Sequence, residues 1–278
     1  MNSQRDVVAH RSESEATGNR IGMDSNRRTA LITGILFIVA TAASLLGTAM
    51  EQPVLTGTDY LSRISEHLTR VSAGGLFEFV AAGTSAAIAV SLYPVLKRWS
   101  GSLALGAVVF RAIEAVMYSV GAVSMLSLLK VAQQFTNAAP ANRVWFQAIG
   151  DAFLGARAEA ILAGVFAFAL GALMYYYVFY RSRLVPRWLS GWGIVAEFLV
   201  LVACLSALFS RNPVTSYIIL VLPIAVQEMV MAVWLIARGF RSVGLEVPTV
   251  PRSSAAEARV VPFRGNDALD GSPDGPPQ

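Results

Sequence analysis

The sequence predicts an all-α integral membrane protein: a bundle of six transmembrane helices with both termini in the cytoplasm. Three observations predict it. Of 278 residues, 55% are hydrophobic and 14% charged, against about 25% charged in an ordinary soluble domain. The apolar residues are gathered into six runs of about 20, the length a helix needs to cross roughly 30 Å of hydrocarbon. All five tryptophans, Trp99, Trp145, Trp188, Trp192 and Trp234, fall near the ends of those runs, where aromatic belts sit. The basic residues alternate in density between the two sides. Arg20, Arg27, Arg28, Lys97, Arg98, Arg181, Arg183, Arg187, Arg238 and Arg241 crowd one side, and Arg63, Arg70, Lys130, Arg143 and Arg211 are spread over longer loops on the other. The positive-inside rule puts the crowded side, with both ends of the chain, in the cytoplasm.

Residues 1–26 are polar, without apolar periodicity, and predict a disordered cytoplasmic tail. No cleavable signal peptide is expected: the first apolar run is too long for a signal core and stays as a span. The transmembrane domain covers 27–241. Its first span is 29–50, ended by Pro53. Asp59 stands as an N-cap before a short amphipathic helix at the interface, with Leu61, Ile64, Leu68 and Val71 at helical spacing. The second span, 71–96, closes on Lys97, Arg98 and Trp99. The third, 102–130, is longer than a bilayer needs, so a tilt or a protruding end is expected. Pro140 and a short stretch around Trp145 lead to the fourth span, 153–179, which ends in Tyr175, Tyr176, Tyr177 and Tyr180. The fifth is 188–209 and the sixth 216–237. Residues 242–278 hold six of the twelve prolines and predict a second disordered cytoplasmic tail.

The residues that do not belong in hydrocarbon carry the functional signal. Each of the last five spans contains a glutamate: Glu78, Glu114, Glu159, Glu197 and Glu228. Two also contain an arginine, Arg111 and Arg157. Each such charge near a helix centre costs on the order of 3 kcal/mol on insertion scales, so these groups must face the bundle interior, a wet cavity or each other. Depth divides them. Glu114, Glu197 and Glu228 fall near mid-membrane, with Arg111 three residues before Glu114 on the same helix face. Glu78, Arg157 and Glu159 lie nearer the outer ends. One arginine leaves the third central carboxylate uncompensated if all are ionised.

Other chemistries find no support. The histidines, His10 and His67, lie outside the spans, so paired haem ligation within the bundle is excluded. No HExxH, GxSxG, Walker A or dinucleotide fingerprint stands in a fitting context. No cofactor, metal site or nucleic-acid partner is expected, and no nucleophile marks an enzyme. The lone Cys204 reads as a small packing residue. Pro223 precedes Glu228 by five positions and frees a carbonyl in the sixth span. Gly83, Gly121, Gly164 and Gly171 are expected to permit close helix approach.

Four stretches carry a family resemblance: RRTALITGILFIVAT, LYPVLKRWSGSLALGAVVFRAIEAV, SRLVPRWLSGWGIVAE and LPIAVQEMVMAVWLIARGF. Over about residues 27–241 the chain resembles the bacterial multipass membrane family catalogued as domain of unknown function 4386. The resemblance implies a six-helix protein of a bacterial plasma membrane and brings no activity or catalytic residue. Arg111, Glu114, Glu197 and Glu228 lie within it. Two readings of the charges stand side by side: a small transporter or a proton- or cation-binding protein with a central carboxylate site and an outer access route, or a non-catalytic structural or regulatory protein whose charges fix helix packing. An intramembrane enzyme acting on lipid is a third.

Overall fold

A computed structural model describes the backbone of residues 2–241 and the side chains from Asn26 onward. Among these residues every long element is a helix: α1 (Asn2–Leu55), α2 (Tyr60–Glu66), α3 (Leu68–Leu96), α4 (Gly101–Asn137), α5 (Arg143–Ser182), α6 (Arg187–Ser210) and α7 (Ile218–Arg238), with 3-10 turns at Pro140–Asn142 and Val214–Tyr217. Six stretches are long and apolar enough to cross a membrane: Asn26–Leu55, Leu68–Leu96, Gly101–Asn137, Pro140–Ser182, Arg187–Ser210 and Val214–Arg238.

Several boundaries move from their expected places. Helix α1 runs back to Asn2 through the segment expected to be a tail; that segment holds no proline to interrupt a helix. At its other end α1 passes through Pro53 and stops two residues later. The stretch around Trp145 is continuous with α5 rather than separate. The expected tail at 242–278 lies outside the described residues.

Neighbouring helices fix the architecture. Contacts run in the order α1, α3, α4, α5, α6, α7 and back to α1. The six spans therefore form a closed ring in chain order, with side chains alone filling the middle. Closing it requires α7 to come close to α1 at Gly34, where a Cβ would stand 2.7 Å from Ile236 Cγ1 and 2.8 Å from the Ala232 carbonyl oxygen. At the same end Arg27 donates to the carbonyls of Leu235 (3.1 Å) and Ile236 (2.8 Å), the last turn of α7. The Arg241 amide bonds the Leu184 carbonyl in the α5–α6 loop at 2.8 Å. The start of the first span and the end of the last thus meet at one end of the ring, here termed the tail side. On this side α4 begins with Ser100 as N-cap, its hydroxyl accepting from the Leu103 amide.

Two apolar clusters fill the ring. The larger is built on Phe37, Leu92, Tyr175, Tyr176, Phe179 and Leu235 toward the tail side. The smaller gathers Val54, Leu61, Ile64, Val71, Met125 and Leu128 at the opposite end. Here α4 and α5 extend past the other helices, and α2 packs against α4 with Tyr60 and Leu61 set over Gly150 of α5. The apolar face of α2 is buried on protein, not spread over lipid alone. Asp59 precedes α2 but caps nothing with its side chain; it pairs with Arg63 instead.

The outer surface is apolar, consistent with a lipid surrounding. Leu45, Val90, Phe198, Phe209 and Ile219 all point away from the ring, the last two more than 80% exposed (82% and 81%). Trp99, Trp145 and Trp188 are exposed near helix ends, whereas Trp192 and Trp234 pack on the core. Gly83 touches no neighbour; it faces an open groove of about 490 Å³ between α3 and α4, lined by Phe79, Val116 and Val120.

Candidate functional site

The polar groups inside the ring form two layers. In the central layer Arg111 lies ten residues from the start of α4, Glu197 ten from the start of α6, and Glu228 ten from the end of α7. At 1.5 Å per residue each is about 15 Å from the tail-side end of its helix, half the hydrocarbon thickness. Equal spacing from one end brings three sequence-distant helices to the same depth.

Arg111 and Glu114 form an intrahelical pair. Arg111 Nη1 donates to Glu114 Oε2 at 3.0 Å, with side chains 2% and 3% exposed. The Ser85 hydroxyl of α3 donates to the other oxygen, Oε1, at 2.7 Å. The guanidinium also lies over the Phe168 ring at 4.8 Å from its centroid and near Tyr175 at 6.0 Å, a favourable placing for a cation in a dry site. Glu114 is thereby fully hydrogen-bonded.

Glu197 is not. It is wholly buried, and neither carboxyl oxygen has a hydrogen-bond partner. Glu228 Oε1, Tyr175 Oη and Arg111 Nε are likewise sealed from solvent and unpartnered. Arg111 lies within electrostatic range of Glu114, Tyr175, Glu228 and Glu197, and Glu228 within range of Glu197. These groups share one site. Next to it, Tyr176 donates to Gln227 Oε1 at 2.5 Å and Gln227 Nε2 to the Leu189 carbonyl at 3.0 Å, so α5, α6 and α7 are joined by a closed chain just to the tail side. The contrast is between satisfied groups around Glu114 and Gln227 and a cluster of five unsatisfied atoms between them. Leaving one such atom buried costs about 1–3 kcal/mol, and native folds hold few.

The second layer is centred on Arg157 of α5. Its Nη2 donates to Glu51 Oε2 of α1 at 2.6 Å, and both its terminal nitrogens bond Glu78 of α3. Nη1 also donates to the Gly121 carbonyl of α4 at 3.0 Å. Glu51 is 1% exposed and lies on Gly74, where a Cβ would fall 2.6 Å from Glu51 Cγ. Sequence reading missed Glu51, which sits one turn before Leu55 and two residues from Pro53. Glu159, expected in this layer, is not part of it: it is exposed, and it is in no ion pair or side-chain hydrogen bond among the described residues. Two positions along a helix is about 200° around it, so a buried Arg157 turns Glu159 outward.

The layers are linked by spacing. Glu78 and Ser85 are seven residues apart on α3, as are Glu114 and Gly121 on α4, so each helix presents both layers from one face, about 10.5 Å apart. Among the described residues no three His, Cys, Asp or Glu side chains converge closely enough to hold a metal ion. No curated protein and no solved structure matches the chain. The model of the family described as Domain of unknown function (DUF4386) matches residues 32–239, which include both layers, and the chain belongs to that family.

Proposed function

We propose that this protein is a small membrane transporter, or a membrane protein binding a proton or small cation, with its binding centre at Glu197, Glu228 and Glu114 around Arg111. The observation that carries the reading is Glu197: a wholly buried carboxyl with two unpartnered oxygens. Three carboxylates and one guanidinium leave two negative charges in excess, and a bound proton or a cation carrying N–H donors supplies what the site lacks. The Tyr175 hydroxyl offers such a ligand a further contact. The membrane is taken to be a bacterial plasma membrane, as the family resemblance implies, and the arginine distribution supports placing the tail side and both termini in the cytoplasm.

The competing reading, a protein whose intramembrane charges only fix helix packing, is favoured by one feature, the fully satisfied set of Arg111, Glu114 and Ser85. A purely structural network has no use for an unsatisfied Glu197. Reconstitution into liposomes carrying an internal pH-sensitive dye separates the two. The transport reading expects a proton or cation flux that Glu197→Gln and Glu228→Gln abolish while the protein remains folded. Equal fluxes from wild type and both variants, or none from wild type, would sink it.

A further inference from the structure

The Arg157 cluster has a charge that its own contacts do not balance. Two carboxylates and one guanidinium carry one negative charge in excess. Glu51 Oε1 is buried and has no donor. Every charged group around it is otherwise engaged. On α3, Arg70 gives its guanidinium to the Ala49 carbonyl at 2.9 Å, and Glu78 is itself acidic. On α2, Arg63 pairs with Asp59. From α5 comes Arg157 alone, and α4 contributes only the Gly121 carbonyl. Among the described residues Arg157 is the one cation paired with Glu51.

The geometry of the two carboxyls supplies the remaining piece. Glu51 Oε2 and Glu78 Oε1 both accept from one nitrogen, Arg157 Nη2, so the two carboxyls stand side by side on it. Ionised carboxylates are acceptors only, so a bond between them exists only with a proton in it. We propose that Glu51 and Glu78 form a second proton-binding site, distinct from the central layer, in which one proton is shared between the carboxyls and Arg157 is the fixed counter-charge. Binding one proton brings the cluster to neutrality; releasing it restores the single negative charge. Two carboxyls held close by one another share a proton for the same reason in acid-protease dyads.

This site does not depend on the central one. It lies on the side of the central layer away from the tail side, and its members differ in exposure: Glu78 is 19% exposed, Arg157 10% and Glu51 1%. The site therefore has one partly open face, at Glu78, and one closed face, at Glu51.

Infrared difference spectroscopy on the full chain in lipid nanodiscs tests it, with protonated and ionised carboxyl bands followed through a pH titration. Glu51→Gln and Glu78→Gln each remove the excess charge, since one carboxylate then faces one guanidinium. Both are expected to delete the same protonated-carboxyl band, with thermal melting showing the fold retained. If one variant fails to fold, the other gives the same reading. A band set unchanged in a folded Glu51→Gln or Glu78→Gln protein would overturn the proposal. Glu197→Gln serves as the separating control: the Glu51–Glu78 band survives it whether or not the central site binds a proton.

Discussion

Arg157 reaches across the ring from α5 to Glu51 on α1, two helices that are not neighbours, with Nη2 2.6 Å from Glu51 Oε2. On the way it takes Glu78 of α3 and the carbonyl of Gly121 on α4. One side chain thus joins four of the six spans. Arg157→Met strips both carboxylates of their counter-charge in a mostly buried setting. Removing one partner of a buried pair costs about 3–5 kcal/mol. A fall in thermal midpoint larger than for any single glutamate-to-glutamine change in the same layer is expected, measured by tryptophan fluorescence in detergent.

The central layer gives a different pattern. Glu114→Gln weakens the partner of Arg111 and is expected to lower stability by about 3 kcal/mol. Glu197→Gln removes an unsatisfied carboxyl and is expected to leave the melting midpoint equal or higher. Equal losses for the two would mean that Glu197 holds helices together as Glu114 does.

The seam between α1 and α7 is a third point of attack. A Cβ at Gly34 meets Ile236 and the Ala232 carbonyl, so Gly34→Val forces the helices apart. Overpacking of this kind costs about 1–3 kcal/mol. Cysteines placed at Ala30 and Ala232, both buried in the closed ring, would report the opening as faster labelling by a membrane-permeant maleimide.

Outside the membrane, Arg63 holds the Asp59 carboxyl below its usual range, chiefly through their side-chain hydrogen bond. A lowered folded value means that the pair supports α2 above the ordinary carboxylate range and lets go as pH falls through the lowered value. The protection of the Arg63 amide, whose N–H bonds the Asp59 carbonyl, measured against the intrinsic exchange rate at each pH, should fall on acidification in wild type and not in Asp59→Asn.

Orientation has its own test. Reporter fusions after Gly57, Trp99, Ala139, Leu184, Asn212 and Arg241 fall in the gaps between helices or after the last one. They should read outside, inside, outside, inside, outside, inside. An inside signal after Gly57 would invert the assignment of the tail side.

The six spans were legible because hydrocarbon imposes length and apolarity on each helix separately. Arg111 and Glu114 were legible for a similar reason: three residues along one helix is a local relation. The shared depth of Glu197 and Glu228 also follows from counting along their own helices. What escaped is what depends on rotation about a helix axis relative to its neighbours. Glu51 lies in the last turn of α1, where a charge passes for a membrane boundary, and only the close approach at Gly74 reveals that it turns inward. Glu159 looks like a partner for Arg157 in sequence, yet it points the other way. The burial of α2 depends on how far α4 and α5 protrude, and runs of apolar residues do not give that.

The ring also imposes an order of assembly. Helices enter the membrane in the sequence in which they are made, and here neighbours in the chain are neighbours in the ring. Glu51 and Glu78 are in place before Arg157 arrives, so the most demanding cation meets its counter-charges on insertion. Arg111 brings Glu114 on its own helix. Glu197 and Glu228 come last, on α6 and α7, and the ring shuts only when Ala232 and Ile236 settle against Gly34. A chain stopped after α5 would therefore have Arg111 and Arg157 paired while the central site was still open along one whole side.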